Sequence, residues 1–181
     1  GSYEIVQGVT PMQVLEKLTR GDVTQAEVVL LEGWTFRQMR AALDAHAGVR
    51  HDTAGWTERQ IMEKLGAEGP AEGRFFPDTY LFAKGSGDLD ILKRAYRHMN
   101  NILLAEWEGR EPSLPYKSPY EALIMASIVE KETGRSQDRT QIASVFLNRL
   151  KKGMLLQTDP TVIYGLGEKF DGNLRKRDLL A

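Results

Sequence analysis

The stretch EALIMASIVEKETG, residues 121–134, places a carboxylate on what reads as the apolar face of a helix. At about 100° of rotation per residue, Ile124, Met125, Ile128 and Val129 share one arc, and Glu132 falls near its centre. Glu130 falls on the opposite side with Leu123, Ala126 and Ser127, so the two glutamates of VEKE are expected in different surroundings. A carboxyl kept from water favours its protonated form. In that form it can protonate the departing oxygen of a glycosidic bond, and once deprotonated it can act as a base. The alternative, from this helix alone, is a glutamate satisfied by a buried partner such as an arginine, with a purely structural role.

A second cation lies where apolar residues are expected. In SQDRTQIASVFLNRLKKG, Ile142, Val145, Phe146 and Leu150 define an apolar arc, and Arg149 projects within it. That position costs free energy unless a carboxylate or ligand meets the guanidinium. Pairing with Glu132 and binding an acidic group of a substrate are both open, and the first would count against a general acid. Two further clusters suit sugar recognition. FFPDTY sets aromatic faces beside Asp78 and Thr79, and LQTDPTVIYG sets Gln157, Thr158 and Asp159 at a strand-to-helix junction. Their bland alternatives are a packed aromatic corner with Asp78 in a turn, and an N-cap with ordinary flanks. His46, His51 and His98 are dispersed and lack HExxH spacing, so no metal site is expected. Neither a GxSxG elbow nor a Walker loop occurs, and GEKFDGNL has too few acidic ligands for a calcium loop.

The elements that must position these residues are mostly helical. Thr10 and Pro11 open a helix after a short extended piece, with Gly21 as its stop; EVVLLEGW reads as a strand; Thr35 to Gln38 forms a capping box for a helix to about Ala47. Thr57 begins a helix that ends at Gly66. AEGRFFPDTYLFAKGSGD is a structured loop with a short strand near Tyr80 to Phe82, and Asp88 starts a long helix packed through Leu89, Leu92, Tyr96, Met99 and Leu103. A linker with Pro112, Pro115 and Pro119 leads to the Glu132 helix, and the Arg149 helix runs from Ser136 to Gly153. Strand-like MLLQTD then meets Asp159 and Pro160 as N-cap and first helical residue of TVIYG, and a turn with the start of another helix follows. Trp34, Trp56 and Trp107 read as packing residues. This mixture is α+β rather than a doubly wound parallel sheet.

Composition narrows the class. At 181 residues, 41% hydrophobic and 27% charged, the chain has the make-up of one substantial globular core, with a small appendage at most. The 24 basic and 25 acidic residues give no electrostatic case for nucleic acid or an anionic membrane as partner. Without cysteine, disulfides and thiolate metal sites are excluded. Gly1-Ser2 reads as an expression scar that would have replaced the natural N-terminus with any signal or anchor, so composition does not give the compartment.

In this order and spacing, EGRFFPDTY, ASIVEKETG, VFLNRLKKGM and LQTDPTVIYG resemble the YceG-like family of endolytic murein transglycosylases, over nearly the whole chain. The resemblance implies residues 1–25 as the end of a small LysM-like subdomain, and 26–181 as a catalytic domain incomplete at its C-terminus. The family pattern continues with an Asn-Thr-Tyr and a Gly-Leu-Pro-Pro-Gly stretch that do not occur here. It also implies a bacterial protein with one N-terminal span in the cytoplasmic (inner) membrane and its catalytic part in the periplasm. The family's catalytic glutamate maps onto Glu132. The reaction implied is cleavage of the β-1,4 bond between N-acetylmuramic acid and N-acetylglucosamine within a strand, leaving 1,6-anhydro ends and needing no cofactor or metal. Peptidoglycan glycan strands are the implied partner, with peptidoglycan synthases as further candidates. Candidate substrate-binding residues from the matching stretches are Glu72, Asp78, Tyr80, Arg149, Gln157, Thr158, Asp159 and Tyr164. The alternative is a non-catalytic glycan-binding or scaffold module of the wall-synthesis machinery.

Overall fold

The computed structural model describes residues 5, 7–20 and 25–179. The extended piece expected at the N-terminus and the Gly21 stop fall largely outside them. The fold is α+β, with seven α-helices, a short 3-10 turn and one two-stranded antiparallel sheet among the described residues. The chain divides into two compact units, Gly1–Ile102 and Leu103–Ala181. No described helix is long and apolar enough to cross a membrane.

The first unit contains α1 (Pro11–Arg20), β1 (Gln25–Val29), α2 (Phe36–Asp44), α3 (Glu58–Lys64), β2 (Thr79–Ala83) and most of α4 (Asp88–Glu108). Capping boxes at Thr35 and Thr57 start α2 and α3, the threonine hydroxyls accepting from Gln38 N and Gln60 N. α2 stops at Asp44, short of Ala47, and its next residue, Ala45, is the C-cap. β1 lies two residues earlier than EVVLLEGW suggests, because its register is set by pairing with β2, from Gln25 opposite Ala83 to Val29 opposite Thr79. Alternation along the pair sends Val28, Tyr80 and Phe82 into a core with Leu30, Phe36, Leu43, Ile61, Met62, Phe75, Ile91 and Leu92. Trp34 and Trp56 pack against it. A second device ties the loop before α3 to the start of α4. Asp88 and Thr53 are each 1% exposed, and the Asp88 carboxylate accepts from Thr53 N at 3.2 Å and Thr53 Oγ1 at 2.7 Å.

Tyr80 is 4% exposed, and its hydroxyl donates to Phe76 O at 2.7 Å. Burial, reinforced by the nearby Asp78 charge and opposed by Arg94, pushes the phenol up from its ordinary 10 to about 12. The folded state therefore keeps this proton more tightly than the unfolded chain. Its stabilising effect is complete below pH 10 and is lost, to the order of 2 kcal/mol, as pH rises towards 12. Tyr80→Phe lacks the hydrogen bond and should be about 1 kcal/mol less stable than wild type near neutrality. The order should reverse above about pH 11 in denaturant titrations.

The second unit contains the end of α4, α5 (Pro119–Glu132), α6 (Ser136–Lys151), α7 (Asp159–Leu166) and the 3-10 turn Gly167–Lys169. Its core is small: Met125, Ile128 and Val129 of α5 meet Phe146 of α6, flanked by Tyr116, Ile142, Ala143 and Leu156. Trp107 packs under the Arg110 guanidinium, 3.6 Å from its ring centroid. Of the apolar arc expected on α6, Phe146 is buried while Val145 and Leu150 are exposed. MLLQTD holds no strand: 154–158 are irregular and Asp159 already belongs to α7, while residues 171–179 are irregular chain and a turn rather than a further helix.

Candidate active site

Glu132 is the last residue of α5. The helix begins at Ser118, whose hydroxyl accepts from Glu121 N, with Pro119 next. It ends because Thr133 turns extended, at φ −148° and ψ 133°. That ending corrects the expectation of a buried carboxyl. The arc is buried at Met125, Ile128 and Val129, but Glu132 is exposed, since no further helical turn extends the covered face over it. Ile124, at the other end of the arc, is exposed as well.

The Glu132 carboxylate is nevertheless held. The hydroxyl of Thr158, a residue only 4% exposed, donates to Glu132 Oε1. Thr158, rather than Asp159, is the N-cap of α7, and its hydroxyl makes no capping bond. Thr10, Thr35, Thr57 and Ser118 all turn their hydroxyls back onto the helices they open. By spending its hydroxyl on Glu132, Thr158 forgoes about 1 kcal/mol of helix stabilisation. Asp159, exposed in the first turn of α7, supplies negative charge where the helix dipole favours it.

The residue before Thr158 is also out of the ordinary. Gln157, at φ 55°, is the one non-glycine in the left-handed region among the described residues. For a residue with a Cβ that conformation costs roughly 1–2 kcal/mol. Arg149 accounts for how it is held. One guanidinium nitrogen donates to Leu156 O at 2.8 Å and another to Gln157 Oε1 at 2.9 Å, while Arg149 O accepts from Met154 N at 2.9 Å. The sequence left Arg149 a choice between Glu132 and a substrate acid, and the structure gives it a third partner, the loop that carries Thr158. Among the described residues Glu132 has no ion-pair partner. Arg139 instead pairs with Glu130 at 3.0 Å, so the two acids of VEKE do sit in different surroundings.

The structure thus brings together Glu132, Arg149, Gln157 and Thr158 within the second unit. Tyr164 is an exposed residue of the same unit. Glu72, Asp78 and Tyr80 belong to the first unit and have local partners there. Both Glu72 oxygens accept from Phe36 N at 3.2 Å, at the start of α2. Asp78 is exposed, accepts from Thr79 N at 2.7 Å and lies 3.7 Å from His98 Nδ1. Tyr80 is a core residue. FFPDTY is the packed aromatic corner of the bland reading: Phe75 stacks on Phe36 at 4.8 Å, and Phe76 lies 4.2 Å from His98. A shallow cavity of about 310 Å³ in the first unit, lined by Gln25, Leu81, Asp90 and Arg94 among others, includes none of the candidate residues.

Asp44, His51 and Asp88 each offer an atom within 4.8 Å of the others. Sequence spacing gave no hint of this grouping. Both Asp88 oxygens accept from Thr53, and this member of the group braces the N-terminus of α4. The Thr158 to Glu132 contact, between residues 26 apart in sequence, was equally invisible to local patterning.

The family model of the YceG-like family matches residues 1–181. An endolytic murein transglycosylase of Bacillus subtilis (strain 168) is 32% identical over 202 residues, covering 97% of this chain and 54% of the relative. Another, from Streptococcus pneumoniae (strain ATCC BAA-255 / R6), is 33% identical over 198 residues, covering 93% of this chain and 35% of the relative. The chain spans about half or less of the length of these relatives. A crystal structure of a YceG-like protein from Listeria monocytogenes superposes with TM-score 0.65 at 28% identity, covering 99% of this chain and 64% of that one.

Proposed function

Because the chain belongs to the YceG-like family, we propose that it forms part of an endolytic murein transglycosylase, with Glu132 as the single acid and base. The observation that carries this reading is a solvent-facing glutamate at a helix end whose Oε1 is fixed by the hydroxyl of a buried threonine, with both residues inside motif stretches. A structural carboxylate would be expected to take the cation within reach of its own helix, as Glu130 does with Arg139. Glu132 takes a neutral donor and keeps an open side.

The open side replaces the dry pocket that the sequence suggested. A glycan laid over the carboxyl excludes water from it, and a carboxyl deprived of water favours its neutral form. In the first step Glu132 gives its proton to the glycosidic oxygen as the bond from C1 of N-acetylmuramic acid to that oxygen breaks. The C6 hydroxyl of the same sugar then bonds to C1, and its proton passes to the Glu132 carboxylate, restoring the acid. No water is consumed. The internal hydroxyl takes the part that a water or an enzyme carboxylate plays in ordinary glycosidases, so one carboxyl suffices. The substrate places this domain outside the cytoplasmic membrane. The anchor expected upstream, and peptidoglycan synthases as partners, belong to the same proposal.

The test is mass spectrometry of products from purified glycan strands incubated with the full-length protein. New 1,6-anhydro ends within strands support the reading. Ends heavier by one water identify a hydrolase, and strand binding without cleavage identifies a scaffold module; either overturns it.

A further inference from the structure

We propose that Arg149, Gln157 and Thr158 form a positioning device that holds Glu132 Oε1 and so makes Oε2 the oxygen that carries the transferred proton. The inference rests on the reading of Glu132 as acid and base.

Three features converge on one segment. Thr158 withholds its hydroxyl from the helix it opens and gives it to Glu132. Gln157 adopts a left-handed backbone although it is not glycine. Arg149 spends two donors on the carbonyl of Leu156 and the side-chain oxygen of Gln157. Each is locally unfavourable or unusual, and together they set the direction in which the Thr158 hydroxyl points. A planar guanidinium can bridge two acceptors in a fixed geometry, whereas an ammonium is a point charge on a flexible stem.

The consequence for the carboxyl is specific. A hydroxyl donating to Oε1 makes that atom the acceptor in both protonation states, as carboxylate oxygen or as the carbonyl of the neutral acid. The proton then resides on Oε2. It leaves Oε2 for the glycosidic oxygen and returns there from the C6 hydroxyl. Without the Thr158 bond, the proton is shared between two oxygens of a freely rotating group.

Thr158→Val keeps the shape and removes the donor, while Thr158→Ser restores it. In the full-length protein acting on glycan strands, Thr158→Val is expected to lower kcat about 10- to 100-fold with little change in KM, as a misplaced reacting group does. Thr158→Ser should recover most of the loss. Arg149→Lys should lower kcat as well, and Arg149→Lys with Thr158→Val should be no slower than Thr158→Val alone, because both act through one carboxyl. A Thr158→Val enzyme with unchanged kcat, or losses that multiply in the double variant, overturns the proposal. A second readout needs no turnover. The carboxyl-carbon NMR resonance of Glu132, assigned by its disappearance in Glu132→Gln, should move in Thr158→Val and return in Thr158→Ser. If it does not move, the device is refuted even where Glu132 proves catalytic; if it moves while Glu132→Gln retains activity, the fault lies with the catalytic reading. Should Thr158→Val not fold, Arg149→Lys makes the same two measurements.

Discussion

Glu132→Gln in the full-length protein is expected to reduce formation of 1,6-anhydro ends by about 100- to 10,000-fold, the range that a positioned acid or base contributes. The loss should fall on kcat rather than KM. Glutamine keeps the size of glutamate and keeps an oxygen that accepts from the Thr158 hydroxyl, so the α5 terminus and the loop before α7 should hold their places. What it lacks is a transferable proton. The matched control is Glu130→Gln, two residues away on the same helix. Glu130 is paired with Arg139 at a partly exposed site, and such pairs contribute little, so turnover should stay within about twofold of wild type. Equal losses in the two variants would place the effect in the helix rather than in the carboxyl, and full turnover in Glu132→Gln would remove Glu132 from the mechanism. Counting anhydro ends by mass spectrometry under single-turnover conditions separates these results.

The sequence was most legible where one local interaction decides a structure. Capping boxes at Thr35 and Thr57 are complete within four residues, and both helices start where the pattern places them. The bounds of α6 follow the same logic, from Ser136 to the stop at Gly153, whereas Pro119, which reads as the end of a linker, is the first residue of α5 behind a Ser118 cap. Periodicity also separated Glu130 from Glu132. It could not say how far the buried arc extends, because an arc is covered only where another element lies over it, and α5 ends at Glu132. Leu155 shows the same limit: MLLQTD has the composition of a strand, but no described strand pairs with it, and the segment is shaped instead by Arg149 and by a left-handed Gln157. Backbone strain of that kind has no composition signature in a glutamine. Thr158 reads as an ordinary flank of an Asp159 cap, and only the structure shows that it opens α7 itself with its hydroxyl turned to Glu132. The candidates of the first unit failed to be legible for the opposite reason. Glu72 and Tyr80 carry groups suited to sugars, yet each is taken by a backbone partner far enough off in sequence, or buried deeply enough, to escape pattern reading.

Asp88→Ala should be the most damaging single substitution for stability in the first unit, at about 3–5 kcal/mol. The size follows from what the side chain leaves behind. Thr53 is as buried as Asp88, and its N–H and hydroxyl both donate to that carboxylate. Removing the acceptor strands two buried donors, each costing about 1–3 kcal/mol, and takes a carboxylate from the first turn of α4, where the helix dipole favours one. The loss is a large share of the roughly 5–15 kcal/mol that holds a domain folded. Asp88→Asn keeps one oxygen acceptor in place and should cost less than half as much. Thr53→Val should fall between them, since it removes the hydroxyl but leaves the N–H bonded to Asp88. Urea unfolding followed by tryptophan fluorescence reads all three, because Trp56 packs against the same core. The ranking carries the argument more than any one value. If Asp88→Asn were as damaging as Asp88→Ala, the charge itself would be at stake rather than the acceptor, and the place to look for its counterpart would be the neighbouring His51 of the Asp44, His51 and Asp88 group.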